Sequence, residues 1–121
     1  MNREPARNFQ DLVVWQKAHQ LVLGVYRYSD GFPSKENYCL LPQLRRAAIS
    51  VPANIAEGFK KKSRLDKLRF FNIAQGSLEE VRYYLLLAKD LGYGDSSALA
   101  DDLDIVGKLL EGYMSSIKRS M

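Results

Sequence analysis

Phe71, Ala74, Leu78, Val81, Leu85 and Ala88 recur in alternating steps of three and four. That spacing gathers all six on one face of an α-helix, whereas a strand would scatter them over both faces of a sheet. It is also the seam by which helices pack side by side in a bundle. Phe70, Ser77, Tyr84 and Leu91 form a second line beside it. The flanks agree with a long helix: Ser63 stands as an N-cap with Asp66 three residues on, and Gly92 stands at its end, opening the turn Gly92-Tyr93-Gly94-Asp95.

Three other stretches carry the same period. Leu12, Trp15, Ala18, Val22 and Val25 predict a first helix over residues 11–29, with Val14, Leu21 and Leu23 adding apolar surface off that stripe. Such surplus suits a helix buried more deeply than a lone bundle allows. Leu44, Ala48, Val51, Ile55 and Phe59 keep one phase although Pro52 lies among them. Proline removes the bond to the Ala48 carbonyl and disfavours an ordinary helix interior by about 3 kcal/mol. Because the phase survives, the second helix is predicted to kink at Pro52 without breaking. Pro42 suits its first turn, and residues 34–40 form a short turn or helix, continuous with it or separate. Leu99, Leu103, Val106, Leu110, Tyr113 and Ile117 mark a fourth helix that starts near Ser96 or Ser97, with Asp101 and Asp102 in an early turn to oppose its dipole.

Short connections between long helices favour antiparallel neighbours. The expected fold is therefore all-α, an antiparallel up-down four-helix bundle with a kinked second helix. It forms one domain over residues 9–119, behind a flexible N-terminal segment of residues 1–8.

The chain of 121 residues is long enough to bury a core without covalent staples. Its lone cysteine, Cys39, forms no internal disulfide and suits a reducing compartment. The polar first eight residues do not resemble a signal peptide. The longest apolar run, residues 83–88, falls far short of the ~20 needed to span a bilayer. A cytoplasmic location is expected.

The missing chemistry narrows function. His19 is the one histidine, so a di-iron bundle site, which needs two Glu-x-x-His motifs, fails by count. A structural zinc site needs four ligands, mostly Cys and His, and this chain holds two such residues. No glycine-rich phosphate loop precedes a helix. A Cys39–His19 dyad is possible by count alone; the plainer expectation is that Cys39 is a small buried hydrophobe. No catalytic residue, metal or cofactor is expected.

On the second helix Gln43, Arg46, Ser50, Asn54, Glu57 and Lys61 share a stripe about 100° from the apolar seam. Such a stripe is either a solvated face or a polar line pressed against another helix. Ser and Asn are poor formers of helix interiors, and Gly76-Ser77 on the third helix would admit a close neighbour. Arg46, Ser50, Asn54, Glu57, Gly76 and Ser77 are thus candidates for a helix–helix or subunit contact, with Asn54 and Glu57 bonding across it.

Several stretches carry a resemblance. Phe9-Gln10-Asp11-Leu12-Val13-Val14-Trp15-Gln16-Lys17-Ala18, Phe32-Pro33, Gln43-Leu44-Arg45-Arg46-Ala47-Ala48, Ser50-Val51-Pro52-Ala53-Asn54-Ile55-Ala56-Glu57-Gly58 and Ala74-Gln75-Gly76-Ser77-Leu78-Glu79-Glu80 look like the bacterial four-helix-bundle family of 23S rRNA-intervening sequence proteins. The likeness runs over nearly the whole chain. It implies the fold already derived and a homopentameric ring around a central opening. A related type is the accessory variability determinant protein of diversity-generating retroelements, a basic pentamer that binds nucleic acid and a reverse transcriptase. The sequence departs from the family pattern at Cys39, where glycine is common, at Pro42, where a small hydroxyl residue is more usual, and at Lys60-Lys61-Lys62, which replaces a glycine-and-arginine stretch.

Charge is unevenly placed. Residues 45–69 hold eight basic side chains against Glu57 and Asp66, net +6, while residues 79–111 hold three against eight acidic ones, net −5. Lys60, Lys61, Lys62, Arg64, Lys67 and Arg69 would gather where the second and third helices join, a candidate surface for RNA or other nucleic acid through phosphate contacts. The alternative is an assembly or adaptor scaffold whose apolar first helix holds a protein partner such as a polymerase or reverse transcriptase. Either reading is non-enzymatic and oligomeric.

Overall fold

The structure is a computed structural model and describes residues 5–121. Four helices, α1 (Val13–Ser29), α2 (Leu40–Lys60), α3 (Arg64–Asp90) and α4 (Ser97–Arg119), follow one another with no strand among the described residues. Of the segment expected to be flexible, residues 1–4 lie outside the described residues. The backbone amides of Arg7 and Asn8 donate to Asp11 Oδ2 at 2.9 and 3.4 Å. A short 3-10 helix, Phe9–Asp11, therefore precedes α1, which starts two residues later than its periodicity suggested.

Each helix runs antiparallel to the next, as paired contacts show. Gly24 meets Leu99 between α1 and α4, and Arg45 reaches Tyr26 and Ser29 between α2 and α1. Ser50 meets Ser77 between α2 and α3, while Gln75 meets Glu111 and Arg82 meets Asp104 between α3 and α4. The result is a closed square in which α1 and α3 each touch both α2 and α4. All six seam residues of α3 are buried, and Phe71 is the largest fully buried side chain of the core. Leu21, Leu44, Ile55, Leu103 and Leu110 fill the space around it.

α2 passes through Pro52 without a break, and Pro42 sits in its first turn. Residues 34–36 form a separate 3-10 helix, Ser34–Glu36. At the start of α3 the Ser63 hydroxyl accepts the Asp66 amide at 3.1 Å. At its end Gly92 adopts φ +81°, a conformation other side chains resist. The Tyr93 amide then returns to the Ala88 carbonyl and the Gly92 amide to the Lys89 carbonyl, which satisfies the last turn.

α4 starts at Ser97 with Asp101 and Asp102 in its second turn, and Asp95 ahead of it accepts the Ser97 amide at 2.9 Å. One expectation is corrected. Cys39 is exposed, since it precedes the first residue of α2 on a connection that nothing covers.

Candidate nucleic-acid interface at the basic end

Antiparallel packing gives the bundle two chemically different ends. One carries the α1–α2 and α3–α4 connections. There Asp30, Glu36, Asp90, Asp95, Asp101 and Asp102 stand against Arg27, Lys35, Arg45, Arg46 and Lys89, net −1. Arg45 is committed within that end: it donates to Asp30 at 2.9 Å and to the Ser29 hydroxyl at 2.9 Å, and its guanidinium lies over the Tyr26 ring. The other end carries the three-residue turn between α2 and α3 together with the last turn of α4. The Phe71–Tyr113 ring contact and the Gln75–Glu111 bond set the register of α4 on α3. Continued one turn further, that register brings Lys118 and Arg119 beside the start of α3. Together with the start of α1, which lines a cavity with residues 108–116 of α4, this end therefore gathers Arg7, Lys60, Lys61, Lys62, Arg64, Lys67, Arg69, Lys118 and Arg119 against Asp11, Glu57 and Asp66, net +6 among the described residues.

The cations divide into two kinds. Lys60, Lys62, Arg64, Arg69, Lys118 and Arg119 are exposed, and Lys61 is partly so. Lys61 Nζ lies 4.9 Å and the Arg69 guanidinium 5.3 Å from the centre of the Phe70 ring, contacts that a ring quadrupole favours. Lys67 folds back instead. Its ammonium donates to the Phe59 carbonyl at 2.6 Å and approaches the Gly58 carbonyl at 3.5 Å. Those carbonyls close α2, where the Gly58 carbonyl also accepts the Lys61 amide at 3.2 Å. Partial burial pushes the Lys67 ammonium below the ordinary lysine range. Lys67 thus belongs to the candidate cluster in position but has most of its donor capacity engaged by the fold.

The proposed contact stripe divides as well. Ser50 and Ser77 share a 2.7 Å hydrogen bond between α2 and α3, and the Asn54 amide donates to the Ser50 hydroxyl at 2.9 Å and to its carbonyl at 2.8 Å. Asn54 therefore bonds within its own helix and reaches α3 only through Ser50. Arg46 and Glu57 are exposed, and a Cβ on Gly76 would meet nothing within 4 Å inside the subunit. The close approach between α2 and α3 falls at Gly58, where an added Cβ would lie 2.6 Å from the Phe71 ring.

The Cys39–His19 pair is not assembled. His19 stacks on Trp15 at 5.0 Å and lines a groove with Ile49, Pro52 and Ala53. Cys39 precedes α2, about 20 Å away at 1.5 Å per helical residue. No group of three or more His, Cys, Asp or Glu side chains able to hold a metal occurs among the described residues. Nor is any helix there long and apolar enough to cross a membrane.

The sequence profile of 23S rRNA-intervening sequence proteins matches residues 10–112. The chain belongs to this family. The match covers α1, α2, α3 and most of α4, so the cluster from Lys60 to Arg69 lies inside the family region while Lys118 and Arg119 lie beyond it. A crystal structure of a family S23 ribosomal protein of unknown function from Bacteroides thetaiotaomicron superposes with a TM-score of 0.77 at 24% identity. That superposition covers 84% of this chain and 98% of the other, and it establishes the shared bundle alone. No curated protein matches the sequence.

Proposed function

We propose that the chain is a non-enzymatic, oligomeric binding protein of the cytoplasm that engages RNA or another nucleic acid through its basic end. One observation carries the reading: two segments distant in sequence bring their cations to the same end of the bundle, and the opposite end carries no such excess. A molecule charged in this way orients in the field of a polyanion before contact. Phosphate contacts would dominate affinity. Fluorescence anisotropy of a labelled structured RNA across a salt series tests this, with Lys60/Lys61/Lys62→Ala alongside. Binding that weakens steeply with salt and is lost in the variant supports the reading, and no binding at low salt removes it.

The family resemblance adds a homopentamer as the working assembly, and the surface is compatible with one. Leu23, Ile49, Ile73, Tyr83, Leu86 and Ile105 stand exposed on helix faces. Light scattering that returns a monomer of 13.8 kDa at low micromolar concentration would remove the ring.

A second reading, an adaptor that holds a protein partner such as a polymerase or reverse transcriptase, rests on a different feature. Between α1 and α2 runs a groove of about 340 Å³ lined by Phe9, Trp15, Val22, Ile49, Ala53 and Ala56. Binding there would be insensitive to salt, which separates it from the first reading.

A further inference from the structure

The basic end also indicates which form of nucleic acid it suits, an inference that rests on the nucleic-acid reading above. Proteins that hold single strands stack bases on exposed aromatic rings. The aromatic rings at this end are not free for that. Phe70 has Lys61 and Arg69 over it, Phe59 has Lys67 at 5.4 Å, and Phe71 is fully buried against Tyr113. Among the described residues, Leu65 and Met121 are large apolar side chains exposed beside these cations, and neither offers a π-face.

Charge density suffices for a duplex. A four-helix end with helices ~10 Å apart is about 20 Å across. A duplex carries one phosphate per ~1.7 Å of axis, so about 12 lie along that span, roughly half of them turned to one side; one strand presents half as many. Beside Arg7, and with Lys67 engaged by α2, seven cations remain: Lys60, Lys61, Lys62, Arg64, Arg69, Lys118 and Arg119. Seven are enough to face the roughly six phosphates that a duplex turns to one side.

We propose that the basic end docks head-on against the phosphate backbone of a nucleic-acid duplex and reads charge and spacing rather than bases. Lys118 and Arg119 extend the patch from α2–α3 onto α4, so the footprint spans the bundle end and not the turn alone. The test titrates the full chain into a labelled RNA duplex and into an unstructured single strand of equal length, across a salt series. Phe70→Leu and Lys118/Arg119→Ala are run beside it, with helicity checked by circular dichroism. The duplex is expected to bind at least about tenfold more tightly. Phe70→Leu should leave duplex affinity within about threefold, because the ring stacks on no base. Lys118/Arg119→Ala should reduce the slope of log K against log salt by about 2 per engaged subunit. Preference for the single strand, lost in Phe70→Leu, overturns the duplex inference and leaves the nucleic-acid reading standing. Absence of binding to both at low salt overturns both.

Discussion

Gly58 is the position where a single methyl group tests the packing most sharply. A Cβ there would lie 2.6 Å from Phe71 Cε1, 3.0 Å from Cδ1 and 3.1 Å from Phe70 Cβ. The Phe71 ring cannot yield easily, since it is fully buried and packed on Tyr113. Forcing an extra methyl into such a site costs about 1–3 kcal/mol. Replacing a helical glycine by alanine returns up to about 1 kcal/mol through backbone entropy. The net expectation for Gly58→Ala is a loss of about 1–2 kcal/mol. Unfolding entropy near 2.1 cal/mol/K per residue makes 1 kcal/mol about 4 °C for a chain of this length, so Tm should fall by about 4–8 °C. Gly112 is the matched control, because it is also helical but meets nothing within 4 Å. Gly112→Ala should raise Tm by about 2–4 °C. Both are read by calorimetry at one fixed protein concentration, which keeps any assembly equilibrium constant. A Gly58→Ala protein that melts at or above the parent would refute the α2–α3 packing.

Ser77→Ala removes a buried 2.7 Å hydrogen bond and should lower stability by about 1 kcal/mol in urea unfolding, while Glu57→Ala, on an exposed side chain, should change it by less than about 0.5. Lys67→Met should lower stability by about 0.5–1 kcal/mol by uncapping the α2 carbonyls; an unchanged denaturation midpoint would show that the contact contributes nothing. The Tyr93 hydroxyl donates to Glu36 Oε2 at 2.6 Å, and that bond holds the Glu36 carboxyl below its usual 4.5. A depressed carboxyl contributes stability that is complete above the unfolded value and is lost as pH falls through the folded one. The Tm difference between the parent and Tyr93→Phe should therefore be full at pH 7 and shrink below about pH 4.5. A difference unchanged down to pH 3 would contradict the pairing.

Much of the bundle could be read from spacing because buried helix faces leave a period in the sequence. The α3 seam and the phase through Pro52 are both of that kind, and so is the Ser63 cap, whose partner lies three residues away. What spacing could not supply was the identity of the neighbour. Gly76-Ser77 looked like the close approach, yet Gly76 faces outward within the subunit and Gly58 meets Phe71, since only the rotation of α2 on α3 decides which glycine is crowded. Lys67 read as a surface cation because its carbonyl partners precede it across a turn whose direction is a tertiary property. Lys118 and Arg119 were missed as members of the basic end for a related reason. They are about fifty residues from Lys67, and only the antiparallel return of α4 brings them there. The signal was present in the predicted topology: in an up-down bundle, the end of the fourth helix lies beside the start of the third.

The claim that the basic end is the binding surface is tested most directly by amide hydrogen exchange of the chain with and without an RNA duplex at low salt. The account predicts slowed exchange confined to residues 60–69 and to the last turn of α4, with residues 30–40 and 89–96 at the opposite end unaffected. Protection centred instead on the α1–α2 groove around Trp15 and Ile49, or on that opposite end, would contradict it.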